Sequence, residues 1–112
     1  MTERPQTAAQ RLVGDIAPAL AALTDDVLFG DVWGRAGLAE RDRSLITCAA
    51  LITNGSTEQL EGHLTRALDN GVQPDEIIEM ITHLAFYAGW PRAMSAVRVA
   101  REVFSAASGK MQ

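Results

Sequence analysis

The sequence predicts an all-α protein, and three observations lead to this prediction. Almost every segment of the 112 residues repeats its apolar side chains with a helical period. The glycines and prolines fall where they would end or begin helices. The connections between these segments are short. We therefore expect a compact bundle of about six helices in a single domain over residues 1–112, with residues 1–7 and 108–112 flexible.

The N-terminal part is predicted to form two helical stretches. The first runs from about Thr7 to Leu23, and Pro18 should kink or split it because proline lacks a backbone donor. One stripe of this helix carries Leu12, Ile16, Ala19, Leu20 and Leu23. Thr24 and the two aspartates after it predict an N-cap for a short helix that ends near Gly34. Residues 34–38 should then form a loop.

The central helix is predicted from about Glu40 to Asn54, where the sequence is apolar nearly all round. Such a helix should be covered on most sides. Gly55 fits the left-handed position at its end, and Ser56 with Gln59 has the spacing of a capping box. The sequence therefore predicts a tight hairpin to a following helix that ends near residues 70–71.

The last two helices are marked by prolines at their starts. Pro74 suits the first position of one helix, acidic residues follow it, and Gly89 ends that helix. Pro91 opens the last helix, which we expect to reach about Ala107. Its apolar face carries Ala93, Ala96, Val97, Ala100, Val103 and Phe104.

Composition excludes several functional classes. The chain has ten Lys and Arg against fourteen Asp and Glu, a net charge of −4. It therefore lacks the excess of positive charge that binding to the phosphate backbone of nucleic acid requires. No apolar run is long enough to span a membrane, and the polar N-terminus indicates a cytoplasmic protein. The single Cys48 excludes an intramolecular disulfide and a CxxC motif. No histidine or carboxylate cluster has metal-ligand spacing, and no glycine-rich loop indicates a nucleotide.

Two histidines are the strongest candidates for chemistry. His63 lies at the edge of an apolar stripe, so it should be partly buried, with Gln59 and Ser56 pointing to the same region. The alternative is a structural histidine.

His83 and Tyr87 are four residues apart on the next helix, with Glu79 before them and Trp90 after them. This polar and aromatic edge could supply a general acid or base. The alternative is a solvated or interfacial seam.

Arginines before and within the central helix are candidates for binding a carboxylate. Arg41 and Arg43 lie in its first turn, where positive charge opposes the helix dipole unless an anion or a carboxylate compensates it. Arg35 follows Trp33 in the preceding loop and could join them. The alternative is surface pairing with nearby acidic residues. Cys48 lies among apolar residues and is expected in the core.

Several motifs of this chain resemble one family. They are Gly30-Asp31-Val32-Trp33, Arg35-Ala36-Gly37-Leu38, Arg43-Ser44-Leu45-Ile46-Thr47, Glu58-Gln59-Leu60, His63-Leu64, Asn70-Gly71-Val72, His83, Tyr87-Ala88-Gly89, Pro91 and Glu102-Val103-Phe104. In this order and spacing they resemble the carboxymuconolactone decarboxylase family of the alkylhydroperoxidase D-like all-helical group. The resemblance implies a homo-oligomer, commonly a hexamer built as a trimer of dimers, with active sites near subunit contacts.

The resemblance also separates two chemistries within that group. The peroxidase branch has a CxxC motif before a histidine, and alignment on His63 puts Ser56 and Gln59 at the two cysteine positions. The thiol relay is therefore absent, and the decarboxylase branch remains. Three positions depart from the family pattern: Ala36 replaces a proline, Gln59 replaces an acidic residue, and Trp90 replaces a small or aliphatic residue.

The resemblance implies a cofactor-free decarboxylase that acts on a small unsaturated lactone acid of the 4-carboxymuconolactone type. Within it, His63 would deliver a proton to a dienolate, and His83 with Tyr87 would stabilise an oxyanion or orient the substrate. The side chains expected to bind the substrate are Trp33, Arg35, Arg43, Gln59 and Trp90. The alternatives are an isomerase, a cyclase or other enolate chemistry on a different small acid, and a non-enzymatic oligomeric binding protein.

Overall fold

The structure is a computed structural model that describes residues 6–110. Its α-helices are α1 (Ala8–Val13), α2 (Pro18–Leu23), α3 (Glu40–Asn54), α4 (Thr57–Asp69), α5 (Pro74–Ala88) and α6 (Trp90–Lys110). A π-helical segment covers Thr24–Phe29, and a short 3-10 helix covers Val32–Gly34. No strand occurs in residues 6–110, so the all-α prediction is confirmed.

The ends of the chain differ slightly from the prediction. Helix α6 reaches Lys110, three residues past the expected end at Ala107. Of the termini expected to be flexible, residues 1–5 and 111–112 lie outside the described residues. The chain divides into two structural units after Ala39, and the single domain stays a prediction.

The first unit confirms the break at Pro18, since α1 ends at Val13 and α2 begins at the proline. The N-cap predicted at Thr24 is wrong. Thr24 has helical dihedral angles (φ −61°, ψ −48°), and its hydroxyl donates to the Leu20 carbonyl at 2.8 Å, so α2 continues into the π-helical segment. That segment ends at Phe29, before the predicted end near Gly34.

The second unit is a bundle of α3, α4, α5 and α6. Helix α3 packs against α4 and α5, and α6 packs against the same two helices, so α4 and α5 occupy opposite corners of the bundle. The interior side chains come from all four helices and include Cys48, Ile52, Leu60, Leu64, Ile77, Ile81, Ala96 and Ala100. Only one face of α3 is buried in this core, however, and Ile46 on another face remains 59% exposed.

The turn between α3 and α4 is partly as predicted. Gly55 takes the left-handed conformation (φ 73°) that the end of α3 requires, which confirms its assignment. The capping box of Ser56 and Gln59 is wrong. Ser56 has φ −85° and ψ 66°, and its side chain makes no capping hydrogen bond, because an N-cap side chain reaches the helix from an extended backbone. At the start of α5, by contrast, the backbone N–H of the N-cap residue Gln73 donates to the Glu76 side chain three residues later, at 2.9 Å, as in a capping box.

Candidate functional site

An open groove of about 540 Å³ runs between α3 and α5 within the second unit. Its walls are apolar and are formed by Leu45, Ile46, Ala49, Met80 and Leu84. Glu76, Glu79 and His83 are its polar side chains, and all three come from α5. The groove therefore combines an apolar bed with one polar edge, an arrangement typical of small-molecule sites.

The spacing of α5 produces this polar edge. Ile77, Ile81 and Ala85 face the core at intervals of four, while Glu79, His83 and Tyr87 repeat at the same interval on another face. The rings of His83 and Tyr87 lie 5.0 Å apart between centroids, tilted by 32°. Both side chains are exposed. The spacing of four therefore brings the His83 and Tyr87 rings together on an exposed face, and their role in a site stays a prediction.

Trp90 belongs to a different surface from His83. Its ring meets the Phe86 ring edge-on, with centroids 5.3 Å apart. Both rings line a smaller apolar cavity between α5 and α6. Phe86 is 74% exposed and was not among the residues predicted from the sequence. Its spacing of four from Trp90 was the signal that could have found it.

An ion pair anchors the start of α5 to α3. Arg41 donates to Glu76, and Glu76 also accepts from the Gln73 N–H. The Gln73 N–H and then Arg41 hold the pKa of Glu76 below its usual value. A carboxylate partner thus offsets the dipole conflict predicted for Arg41. Arg43, also in the first turn of α3, is partly buried and does not line the groove.

His63 lies on α4 and is partly buried, as predicted, with its Nδ1 atom inside the protein. Burial lowers the pKa of this imidazole, and the nearby Arg66 guanidinium lowers it further. A neutral ring is therefore favoured near neutral pH. Gln59, one turn earlier, is exposed.

A partly buried polar contact joins α3 to Asn70, the residue that follows α4. The Asn70 amide donates to the Ser44 hydroxyl at 3.0 Å, and Ser44 is fully buried. The sequence does not predict this contact, because a serine within an apolar helix does not identify its partner elsewhere in the chain.

The structure does not bring the two histidines together within one chain. His63 lies on α4 and His83 on α5, which occupy opposite corners of the bundle. His63 does not line the groove that contains His83.

Trp33 and Arg35 belong to the first unit. Trp33 is buried, and its ring stacks on Phe29 with centroids 5.9 Å apart. Arg35 pairs with Asp31 at 2.8 Å, and both side chains are exposed. The hydrogen bond from Arg35 lowers the pKa of Asp31. Arg35 therefore makes the surface ion pair with a nearby acidic residue that was the alternative to carboxylate binding.

Cys48 is fully buried, and burial raises its pKa to about 11. The thiol therefore stays protonated near neutral pH, and its predicted place in the core is confirmed. Among residues 6–110, no three His, Cys, Asp or Glu side chains form a group that could hold a metal ion. No helix in this part of the chain is long and apolar enough to cross a membrane.

Comparison with known proteins identifies the family. The model of the carboxymuconolactone decarboxylase family matches residues 18–102. The chain is 43% identical over 76 residues to a 4-carboxymuconolactone decarboxylase of Acinetobacter baylyi. The matched segment covers 68% of this chain and 57% of that protein. The chain is also 35% identical over 77 residues to a nitrosuccinic acid decarboxylase of Metarhizium robertsii. That match covers 69% of this chain and 54% of the relative.

A third relative is an uncharacterised 15.0 kDa protein of Paracoccus denitrificans, 27% identical over 97 residues, with 85% of this chain and 72% of that protein covered. The match to this chain spans a little over half the length of each of the two decarboxylases. The family model covers most of the chain, including α3, α4 and α5 with both histidines. The chain therefore belongs to the carboxymuconolactone decarboxylase family.

Proposed function

We propose that this protein is a decarboxylase that removes CO2 from a small carboxylic acid of the 4-carboxymuconolactone type. The observation that carries the proposal is its similarity to two relatives that are both named as decarboxylases, although their acids differ. One name contains a lactone and the other a nitro group, and both groups withdraw electrons. An acid of this kind supplies its own electron sink, so the proposed reaction needs no cofactor.

The proposed reaction has two steps. The bond between the carboxyl group and its carbon breaks, CO2 leaves, and the electron pair moves into the conjugated lactone carbonyl to give a dienolate. A proton is then added to carbon, and the carbonyl reforms. The protein has to hold the carboxylate, stabilise the developing oxyanion and deliver one proton.

His63 is the proposed proton donor. Its lowered pKa makes the imidazolium a stronger acid than an ordinary histidine but reduces its population at neutral pH. An ionised substrate carboxylate next to the ring would favour the imidazolium and offset the effects of burial and Arg66. Substrate binding would thus help to charge the group that later protonates the product.

The groove between α3 and α5 is the proposed binding site for the apolar ring of the substrate. His83 and Tyr87 at its edge would orient the ring or stabilise the oxyanion. The groove contains Glu76 and Glu79, and no Lys or Arg from the described residues lines it. An ionised carboxylate would be repelled there, so we assign the carboxylate to Arg35 or Arg43. Trp33, Gln59 and Trp90 are proposed as further contacts.

The positions of the histidines add a requirement to this proposal. Because α4 and α5 lie at opposite corners of the bundle, one substrate cannot readily contact His63 and His83 of the same chain. We propose that a second copy completes the site, in a homo-oligomer that is a hexamer. The exposed apolar side chains of α3 and α5, Ile46, Ile78 and Phe86, support such contacts between copies.

The direct test is incubation with 4-carboxymuconolactone and, separately, with nitrosuccinic acid, followed by measurement of CO2. Release that depends on the protein and falls in both His63→Gln and His83→Gln supports the proposal. Thermal stabilisation by the acid without CO2 release would favour enolate chemistry of another type or a binding function. Loss of CO2 release in only one variant would show that the other histidine lies outside the site.

The carboxylate assignment has its own test. Arg35→Lys keeps the charge but loses the planar fork of donors, so it should mainly raise KM and leave kcat within a few-fold. Arg43→Lys is the matched variant. If KM rises only in Arg43→Lys, the carboxylate belongs to Arg43, and Arg35 serves its ion pair with Asp31.

A further inference from the structure

A second cavity, about 260 Å³ in volume, lies away from the groove, between the α3–α4 turn and the first half of α6. Its polar side chains are Thr57 from α4 with Arg92, Ser95 and Arg98 from α6. Ile52 and Leu60 contribute apolar surface. None of these residues lines the groove between α3 and α5, and none has a role in the proposed reaction.

The cavity carries positive charge that no ion pair within residues 6–110 neutralises. Arg35 and Arg41 each pair with a carboxylate, but neither Arg92 nor Arg98 forms an ion pair with any residue of the described part of the chain. Arg92 donates from one nitrogen to the Thr53 carbonyl, and a guanidinium has five N–H donors in total. Among the residues that the structure describes, no Asp or Glu lines the cavity, although acidic residues outnumber basic ones in the chain.

We propose that this cavity binds a small dianion, either phosphate or a dicarboxylate, between Arg92 and Arg98. Two guanidinium groups match the charge of such a ligand and supply N–H donors in the geometry that carboxylates and phosphates prefer. The hydroxyls of Ser95 and Thr57 can donate to the remaining oxygens. Ile52 and Leu60 are buried and exclude water from one side of the cavity, whereas Arg92 and Arg98 are exposed.

The size of the cavity limits the ligand. A volume of about 260 Å³ accommodates a phosphate ion or a four-carbon dicarboxylate, but it is too small for most drug-sized molecules. The ligand would therefore be a small metabolite rather than a nucleotide. Such a site would let the concentration of a small anion stabilise the protein separately from substrate binding.

Calorimetric titration of the full chain with inorganic phosphate and, separately, with succinate tests the proposal. Sodium chloride keeps the ionic strength constant, so that a general salt effect does not register as binding. Arg98→Gln should weaken binding about tenfold or more, because a charge-assisted hydrogen bond is lost. Arg101→Gln is the matched control, since Arg101 is exposed on the same helix and does not line the cavity. Its affinity should equal that of the wild type.

Two further variants test whether the anion binds in this cavity and not in the groove. Ser95→Ala should weaken binding by a smaller factor than Arg98→Gln, and His83→Gln should not change it because His83 lies in the groove. Preference for phosphate or succinate identifies the ligand class, and either supports the proposal. Equal affinity of Arg98→Gln and Arg101→Gln would overturn it. So would the absence of any binding heat for both anions, or a loss of binding in His83→Gln.

Discussion

His63 and His83 are the same residue type in two different surroundings. His63 is partly buried on α4, where burial and Arg66 lower its pKa, while His83 is exposed beside Tyr87 at the edge of the groove. A proton donor has to be both protonated and in contact with the substrate. At the scale of the residue, the proposed function therefore requires the substrate to contact the protonated ring of His63.

His63→Gln should lower kcat by about 10²- to 10⁴-fold, the usual contribution of a general acid, with the melting temperature nearly unchanged. In the wild type, kcat/KM should fall as pH rises through the pKa of His63 in the free enzyme, which lies below the ordinary histidine value of about 6.5. Steady-state kinetics across pH measures both effects. A structural His63 would instead lower stability by about 1 to 3 kcal/mol and leave turnover per folded protein unchanged.

His63 should also make the free energy of unfolding depend on pH. Because the pKa of His63 is lower in the folded chain, the unfolded chain binds this proton first as pH falls below about 6.5. The free energy of unfolding should therefore decrease from that pH down to the folded pKa. Thermal melts at pH 7.5 and 5.5 should show a smaller difference in His63→Gln than in the wild type.

Cys48 should be dispensable for activity. Its thiol is fully buried, and a pKa of about 11 keeps it protonated, so it cannot act as a nucleophile. Cys48→Ala should keep kcat/KM within a few-fold of the wild type. The measurement is the decarboxylation assay with folding checked by circular dichroism. A large loss of turnover in a folded variant would contradict this prediction and return thiol chemistry to consideration.

At the scale of the element, the turn between α3 and α4 depends on one glycine. Gly55 has φ 73°. A Cβ atom added at this position would meet no atom within 4 Å, so only backbone strain opposes a substitution by alanine. Gly55→Ala should cost about 1 to 2 kcal/mol of stability. Gly62→Ala is the matched control in the interior of α4, where it has open space and should stabilise by about 0.5 to 1 kcal/mol.

Urea denaturation of the two variants measures this pair of effects. If Gly55→Ala lowers the free energy of unfolding and Gly62→Ala raises it, the backbone conformation at each position, rather than the added methyl group, determines the change in stability. Destabilisation by both variants would instead indicate that the surface around Gly62 is covered in the assembled protein.

At the scale of the whole molecule, each unit exposes large apolar side chains. In the first unit Leu12 is 77% exposed and Ile16 is 82% exposed, and in the second unit Phe86 is 74% exposed and Met94 is 64% exposed. Exposed apolar groups of this number are typical of surfaces that another chain covers. Light scattering coupled to size exclusion should therefore give a multiple of the 12.1 kDa mass of one chain. A mass near 12.1 kDa at micromolar concentration would contradict the prediction.

The sequence by itself determined where most helices lie. The starts at Pro18 and Pro74 and the end at Gly55 follow from local rules, because a proline lacks a donor and a glycine tolerates positive φ wherever it occurs. The buried Cys48 and the partly buried His63 also followed from the periodicity of their helices. The local rules were wrong at Thr24 and Ser56, since a polar side chain can satisfy several backbone groups and packing selects which.

Only the tertiary structure decided which side chains meet. Periodicity places His63 and His83 on their helices, but the packing of α3 between α4 and α5 puts the two histidines at opposite corners. The partners of Arg41 and Ser44 were likewise hidden, because Glu76 is 35 residues away in the chain and Asn70 is 26 residues away. A helical period specifies one direction around one axis, whereas a contact also needs the position and angle of a second axis. Those depend on how side chains from several helices fill the core together.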